Sequence, residues 1–501
     1  MSDKYQALVE RLKEIRNIDR AAAILHWDQQ VNMPRGGSRA RAAQLATLSK
    51  IGHEMLISDE TARLIQDAEA EVGGASYDSV EASMIRVAKR DFHKSTCVPS
   101  SLVAEMAEAE TLAHEVWAEA RAQDDFPKFL PALQRILDLK RQEAEYRGYA
   151  EHPYDAFLDD YEPGMTASRV KTLFDAHKGE LVSLIAAIKE RSDRVSDALL
   201  RQNYEIDRQR AFGEQMVRAY GYDFERGRQD LAVHPFCITF SQGDVRITTR
   251  YSSDYLNPAL FGTMHESGHA MYEQGVDPAL EGTPLSRGTS LGVHESQSRL
   301  WENFVGRSRH FWTWAYPQLQ STFPDQLGGV DVDTFYRSIN RVAPSFIRVE
   351  ADEATYNLHI MVRFEIELDL VTGNVPLEKL PELWNDKFQS YLGIVPPNNK
   401  MGVLQDVHWS SGLVGYFPTY AIGNLLVAQF YRNALEAHPN IPDEIAQGKF
   451  DTLREWMRAN IYQHGRKFTA DELTQRITGE PVDCGYFIEY LREKYSDIYG
   501  L

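Results

Sequence analysis

Residues 257–275 read NPALFGTMHESGHAMYEQG. The stretch predicts one helix. Asn257 can cap its start, Pro258 suits the first turn and Gly275 suits the C-terminal end. On a helical period Phe261, His265, His269 and Tyr272 share one face. Residues four apart differ by about 40° of rotation, so both imidazoles can reach one metal ion. Glu266 lies about 100° round the helix; it cannot comfortably join them as a ligand but can hold a water on such an ion. Gly268 costs about 1 kcal/mol in a helix interior, which predicts a close neighbour. The competing reading is two histidines hydrogen-bonded in a core. Of four His-Glu dipeptides, at His53, His114, His265 and His294, only the one at His265 has a second histidine four residues on.

A catalytic zinc of this kind needs a third protein ligand and one open position. In the HExxHxxGxxH pattern that ligand is a third histidine. Here the glycine position is Tyr272 and the third-histidine position is Gly275, so a downstream carboxylate must serve. Pro278, Gly282, Pro284 and Gly288 allow the chain to turn back. Residues 293–305, VHESQSRLWENFV, then read as a helix with Val293, Leu300 and Phe304 in one stripe. Glu295 and Glu302 both lie opposite that stripe. Spacing does not choose between them, and a solvated carboxylate fits each as well.

Outward from this centre the chain reads as helical. No proline occurs between Pro34 and Pro99 or between Pro163 and Pro235, leaving room for long helices. Leu8, Leu12, Ile15 and Ile18 recur at helical steps. The segments ARAAQLATLSKIGHEML and SLVAEMAEAETLAHEVWAEARA are rich in helix formers and read as amphipathic scaffold. One segment departs: Phe236 to Tyr251, FCITFSQGDVRITTRY, predicts a β-hairpin turning at Gln242-Gly243-Asp244. No linker or repeat interrupts the 501 residues, so residues 1–501 are expected to form one domain with two lobes around a cleft. Later segments are less specific. IRVEAD, residues 347–352, reads as an ordinary charged helix face, or as a site for chemistry. GVLQDVHW, residues 402–409, followed by YFPTY, could line a pocket or leave His408 as a satisfied core residue.

Fifty-four Lys+Arg against 73 Asp+Glu give a net charge of −19, which argues against nucleic acid or an anionic membrane as a partner. The three cysteines, Cys97, Cys237 and Cys484, are far apart, as suits a reducing compartment. No signal peptide and no membrane-spanning run is read, so a cytoplasmic location is expected.

From Leu25 to the C-terminus the chain resembles the thermostable carboxypeptidase family of the carboxypeptidase Taq type. Six motifs match in order: His234-Pro235-Phe236; Asp244, Arg246 and Thr248 of DxRxT; His265 to His269; His294 to Gln297; Ile347, Arg348, Ala351 and Asp352 of IRxxAD; and Gly402, Gln405, Asp406, His408 and Trp409 of GxxQDxHW. The resemblance implies a mostly α fold with a deep substrate groove and a small β-hairpin beside the site, similar to neurolysin and angiotensin-converting enzyme, and a homodimer. It implies Glu295 as the third ligand with His265 and His269, leaving Glu302 a structural or supporting role. The expected activity is a zinc carboxypeptidase, with Co²⁺ able to substitute, acting on peptides with a free C-terminus. Glu266 is the expected general base. His408 and Tyr420 are candidates to stabilise the oxyanion. Arg348, then Arg246, are candidates to hold the terminal carboxylate, with His234 in the substrate-binding set. The alternatives are an oligoendopeptidase with the same metal site and a catalytically silent helical binding protein.

Overall fold

Helices fill the proline-poor stretches. A computed structural model describes residues 3–501 and gives, in order, α1 (Asp3–Val31), α2 (Ser38–Leu56), α3 (Asp59–Val72), α4 (Val80–Thr96), α5 (Ser100–Gln123), α6 (Phe126–Arg147), α7 (Asp155–Tyr161), α8 (Ala167–Lys189), α9 (Ile206–Tyr220), α10 (Asn257–Gln274) and α11 (Leu291–Arg299), with further helices to the C-terminus. The fold is mostly helical, as expected. The chain divides into two compact units, each assembled from three stretches. The first comprises Met1–Thr96, Asp197–Ile339 and Phe430–Pro481; the second comprises Cys97–Ser196, Asn340–Gln429 and Val482–Leu501.

In the first unit, Leu8 and Leu12 of α1 meet Ile65 of α3, Met84, Ile85 and Ala88 of α4, and Leu280 and Leu285 of the turn after α10. Burying each such aliphatic side chain contributes about 1.5–3 kcal/mol. The periodic stripe of α1 is thus the packed face, although Ile18 is only half-buried. The expected amphipathic face of α2 is not realised: Gly52 is its sole fully buried residue and Ile51 is 41% exposed. In the second unit the helix Tyr356–Thr372 is buried along most of its length, including Leu358, Met361, Phe364 and Leu370.

The hairpin forms as read. Strand β2 (Cys237–Ser241) pairs antiparallel with β3 (Asp244–Thr249), with an irregularity between Thr239 and Ser241. A third strand, β1 (Gln229–Leu231), pairs parallel with β3, giving the order β1-β3-β2. Three residues are too few to show an alternating pattern, so this strand has no sequence signature. Thr248 ties two motifs together. Its backbone N donates to Phe236 O (2.9 Å), and its Oγ1 accepts from Phe236 N (2.8 Å).

Helix α10 starts differently from expectation. Asn257 is already helical, Leu256 is the capping residue, and the buried Asn257 Oδ1 has no hydrogen-bond partner. Gly275 ends the helix with φ −91°, so no left-handed turn requires it. Crowding does: a Cβ there would lie 2.6 Å from Tyr462 Cδ2. Among the described residues no helix is long and apolar enough to cross a membrane, and Cys97, Cys237 and Cys484 form no disulfide.

Candidate metal centre

Gly268 brings the two halves of the centre together. A Cβ at this position would sit 2.4 Å from Gln297 O and 2.7 Å from Ser298 Cα. Only hydrogen lets the α11 backbone lie against α10, and that contact carries Glu295 to the histidines. After Arg299, α11 continues as a π-helical turn, Leu300–Val305. Such turns are rare and re-aim side chains. Glu295 is buried and Glu302 half-buried, and they serve different atoms.

His265 Nε2 and His269 Nε2 lie 3.7 and 3.6 Å from the same oxygen, Glu295 Oε2. One ligand atom from each of the three residues falls within 4.8 Å of the others. The opposite ring nitrogens are engaged elsewhere. His265 Nδ1 donates to Glu302 Oε2 (2.9 Å). His294 Nε2 donates to Glu273 Oε1 (2.9 Å), which leaves its Nδ1 as the acceptor for His269 Nδ1–H (2.6 Å). With each Nδ1 so engaged, the Nε2 atoms of both rings are left facing Glu295. This is how histidines are oriented for metal ligation. Two neutral imidazoles and a carboxylate form a donor set suited to zinc and similar divalent cations.

The surrounding charges hold this arrangement. Arg299 Nε donates to Glu295 Oε1 (2.8 Å) and its Nη1 to Glu302 Oε2 (3.2 Å); Arg307 Nη2 donates to Glu302 Oε1 (3.4 Å). Burial alone would raise the Glu302 carboxyl, but Arg299, His265 and Arg307 hold it well below its usual range. Glu266, next to His265 and 7% exposed, has no such partners, and burial pushes it up to about 7. Two neighbouring carboxylates thus have opposite proton affinities, a pattern common at reactive centres.

The other candidates occupy two further places. On the hairpin, Arg246 Nε and Nη2 donate to Asp244 Oδ1 and Oδ2, both at 2.8 Å, and its guanidinium lies 4.3 Å from the Trp27 ring centroid. His234 is exposed in the bend between β1 and β2. In the second unit Arg348, His408 and Tyr420 converge. IRVEAD is not a charged helix face. It forms a single 3-10 turn, Arg348–Glu350, in which Val349 is 73% exposed and Arg348 only 6%. Gln405 pins this turn, accepting from Arg348 N (2.9 Å) and donating to Phe346 O (2.9 Å). Asp352 accepts from the backbone N atoms of Ala343, Ala354 and Thr355.

Asp406 serves two arginines. Its Oδ1 accepts from Arg348 Nε (3.0 Å), and its Oδ2 from Arg363 Nε (2.7 Å). Arg348 Nη1 donates to Tyr356 OH (3.1 Å), and its guanidinium lies 5.0 Å from the Tyr420 centroid. His408 packs on Phe417 with centroids 4.3 Å apart. Its buried Nδ1 has no hydrogen bond, and burial pushes its pKa down to about 4, so it stands neutral. Sequence reading missed Glu273, Arg299 and Arg307 as supporting groups. Helical spacing could have flagged two of them: Glu273 follows His269 by one turn, and Arg299 follows Glu295 by one turn.

Comparison with known proteins agrees with this geometry. A family model described as carboxypeptidase Taq (M32) metallopeptidase matches residues 7–495. Thermostable carboxypeptidase 1 of Thermus thermophilus is 41% identical over 506 residues, covering 99% of each chain. Carboxypeptidase 1 of Bacillus subtilis is 39% identical over 490 residues, covering 98% of this chain and 97% of its own. Among solved structures, the M32 carboxypeptidase of Deinococcus radiodurans R1 superposes with a TM-score of 0.97 at 40% identity, covering 100% of both chains.

Proposed function

The chain belongs to the carboxypeptidase Taq (M32) family and is a metallocarboxypeptidase; from that premise we propose that His265, His269 and Glu295 hold its metal and that Glu266 is its general base. The oligoendopeptidase and silent-binder readings are set aside with the family assignment. The observation that carries the proposal is the convergence of two Nε2 atoms on Glu295 Oε2, with every far-side nitrogen already bonded. Zinc is the metal proposed, with cobalt able to replace it, because imidazole and carboxylate donors suit both. When bound, the ion supplies a Lewis acid that acidifies a water and polarises the scissile carbonyl.

The protein's own groups do the rest. Glu266 takes the water's proton and delivers it to the leaving amine. Its partnerless, buried carboxyl supports that role, since proton affinity near neutrality suits a group that must both accept and release. Glu302 and His294 keep the ligand rings from turning. His408 and Tyr420 are proposed as donors to the oxyanion.

Arg348 is proposed as the anchor for the substrate's terminal carboxylate. A guanidinium has five N–H donors. After the bonds to Asp406 and Tyr356, one hydrogen remains on each of Nη1 and Nη2, a fork matched to a carboxylate. Charge supports the same reading. Asp406 alone answers both Arg348 and Arg363, and the nearby Glu367 is pushed up to about 7 by burial. That leaves a positive charge for an anion to match. Arg246, already paired with both oxygens of Asp244, is the weaker candidate, and His234 is proposed to contact substrate beside it.

The experiment is a comparison of one short peptide as free acid and as C-terminal amide, with metal removed and restored. Hydrolysis of the free acid alone, lost on chelation and regained with Zn²⁺ or Co²⁺, is expected. Equal internal cleavage of the amide would overturn the proposal. One peptidase domain over residues 1–501 is also proposed, supported by a family match that spans both units. A homodimer is proposed, checked by light scattering. A cytoplasmic location, supported by three cysteines that form no disulfide, and the absence of nucleic-acid partners, supported by the acidic charge, complete the reading.

A further inference from the structure

A cavity of about 540 Å³ lies in the first unit, where the tip of the hairpin meets the C-terminal end of α10. Its size is that of a small-molecule pocket. Gln242 is its hub and is 6% exposed. Gln242 Nε2 donates to Asp277 O (3.1 Å) and Ser286 Oγ (3.3 Å), and its backbone N to Glu281 Oε2 (2.9 Å). Its backbone O accepts from Arg226 Nε (3.1 Å) and Nη2 (2.6 Å). Arg226 Nη2 also donates to the backbone O of Gln274, the last residue of α10 (2.9 Å). Gln274 in turn clamps the Arg226 segment. Its Oε1 accepts from Asp223 N (3.1 Å), and its Nε2 donates to Asp223 O (3.0 Å) and Arg226 O (3.1 Å). These bonds tie three separate segments together and hold the cavity walls in place.

What the bonds leave over is two opposite charges, both lining the cavity. Arg226 Nη1 keeps both of its hydrogens, and among the described residues no carboxylate pairs with this guanidinium. Glu281 Oε1 accepts no hydrogen bond, and Glu281 makes no ion pair among the described residues. Arg20, whose charge reaches Glu281, donates instead to Thr239 O. Arg226 and Glu281 are anchored to the O and the N of one residue, Gln242, which places their bonded atoms no more than about 9 Å apart. Arg458, on the helix Asp451–Asn460, also lines the cavity, but it is exposed and bonded to Glu455 (3.4 Å). Val276 and Pro278 add an apolar patch.

A cavity that presents one unmatched cation and one unmatched anion is completed by a ligand carrying both charges. A simple anion would meet Glu281, and a metal cation would meet Arg226. In a free α-amino acid the ammonium and the carboxylate sit on one carbon, about 3 Å apart. With a hydrogen bond of about 2.8 Å at each end the pair spans up to about 8–9 Å, which matches the limit set by Gln242. A peptide places its two termini further apart. We propose that this cavity binds a free α-amino acid, with its carboxylate on Arg226 Nη1, its ammonium on Glu281 Oε1 and its side chain toward Val276 and Pro278. Gln274 follows His269 by five residues, about 7.5 Å along the helix, and no lining residue belongs to the metal centre, so this is a second site. A metallocarboxypeptidase releases one such molecule at every turnover. The proposal goes beyond that activity, and the chemistry of the cavity does not depend on it.

The test measures binding, so its outcome is independent of turnover. L-Leucine is titrated calorimetrically into the full-length, metal-loaded chain and into its Arg348→Ala variant, which lacks the anchor proposed for the substrate carboxylate. Saturable binding should persist in Arg348→Ala. N-acetyl-L-leucine lacks the ammonium and L-leucinamide lacks the carboxylate, so each should bind that variant at least about tenfold more weakly than L-leucine. Adding Glu281→Gln should weaken L-leucine roughly ten- to hundred-fold without weakening N-acetyl-L-leucine. The new amide can still accept from Gln242 N, so the wall is kept. Arg226→Gln should weaken L-leucine in the same way without weakening L-leucinamide. It also cuts the tie between Gln242 and Gln274, and Glu281→Gln carries the test should that variant unfold. Absence of saturable L-leucine binding in Arg348→Ala would overturn the proposal, since the catalytic site would then be the one that binds. So would a Glu281→Gln chain that keeps the parent affinity. Equal binding of N-acetyl-L-leucine and L-leucine would make the cavity an anion site and would contradict the proposal as well.

Discussion

The metal centre and the Arg348 cluster are both buried and polar, and they are built on opposite plans. At the metal centre, Glu302, His294 and Arg299 occupy the outward atoms of the ligand side chains, with Arg307 holding Glu302 in turn, so that what remains unused is lone pairs aimed at one point. At Arg348 every carboxylate oxygen is used and what remains is positive charge: Asp406 stands between two guanidiniums, and His408 beside them is neutral. One region is completed by a cation and the other by an anion. A buried polar cluster can therefore be read by asking which kind of group its own bonds leave over.

The contrast breaks first if Glu266 is a structural member of the metal cluster. It makes no ion pair there, so Glu266→Gln should retain bound metal and lose about 10²–10⁴-fold in kcat. Wild-type turnover in that variant would remove the general base from the account. The anionic vacancy at Arg348 gives the next largest effect. Losing one partner of a buried charge pair costs about 2–5 kcal/mol, so Arg348→Ala should lower kcat/KM for a free-acid peptide by roughly 30- to 5000-fold with metal content unchanged. The same variant should discriminate little against the amide. Full retention of the free-acid preference, with its loss in Arg246→Ala, would move the anchor to the hairpin.

A smaller effect sharpens the electrostatics of the second unit. Glu367 accepts from Tyr154 OH (2.6 Å), Trp409 Nε1 (2.9 Å) and Gly415 N (3.2 Å), but burial outweighs these bonds and pushes it up to about 7. The folded chain then binds a proton that the unfolded chain has released. This contribution is complete below the ordinary carboxyl pKa and is lost as pH rises toward 7, on the order of 1–3 kcal/mol. Denaturant titrations between pH 4.5 and 8 should show that slope, and Glu367→Gln should flatten it. An unchanged slope would mean that the carboxyl is ionised throughout.

The two regions also differ in how much of them the sequence reveals. His265, Glu266 and His269 are close in the chain, and helical geometry alone places their side chains. Gly268 even signals the neighbour that brings Glu295 near. Glu295 and Glu302 could not be separated by period, because the choice depends on a π-turn and on which ring nitrogen each carboxylate meets. In the second unit Arg348, Arg363, Asp406 and Tyr420 come from distant segments. The period of IRVEAD misleads, since Gln405 and Asp352 fix it as a turn. The hairpin was legible from its alternation, whereas β1, only three residues long, was not. The exposed face of α2 likewise escapes a reading based on helix-forming residues alone.

Metal content in two variants tests the centre most directly. Glu295→Gln and Glu302→Gln are purified identically, dialysed against the same limiting chelator and assayed for bound zinc per chain. Glu295 faces both Nε2 atoms, so its variant should be essentially metal-free. Glu302 orients His265 from behind, so its variant should keep metal with about 10- to 100-fold weaker affinity. A Glu295→Gln chain that held zinc while Glu302→Gln released it would contradict the assignment.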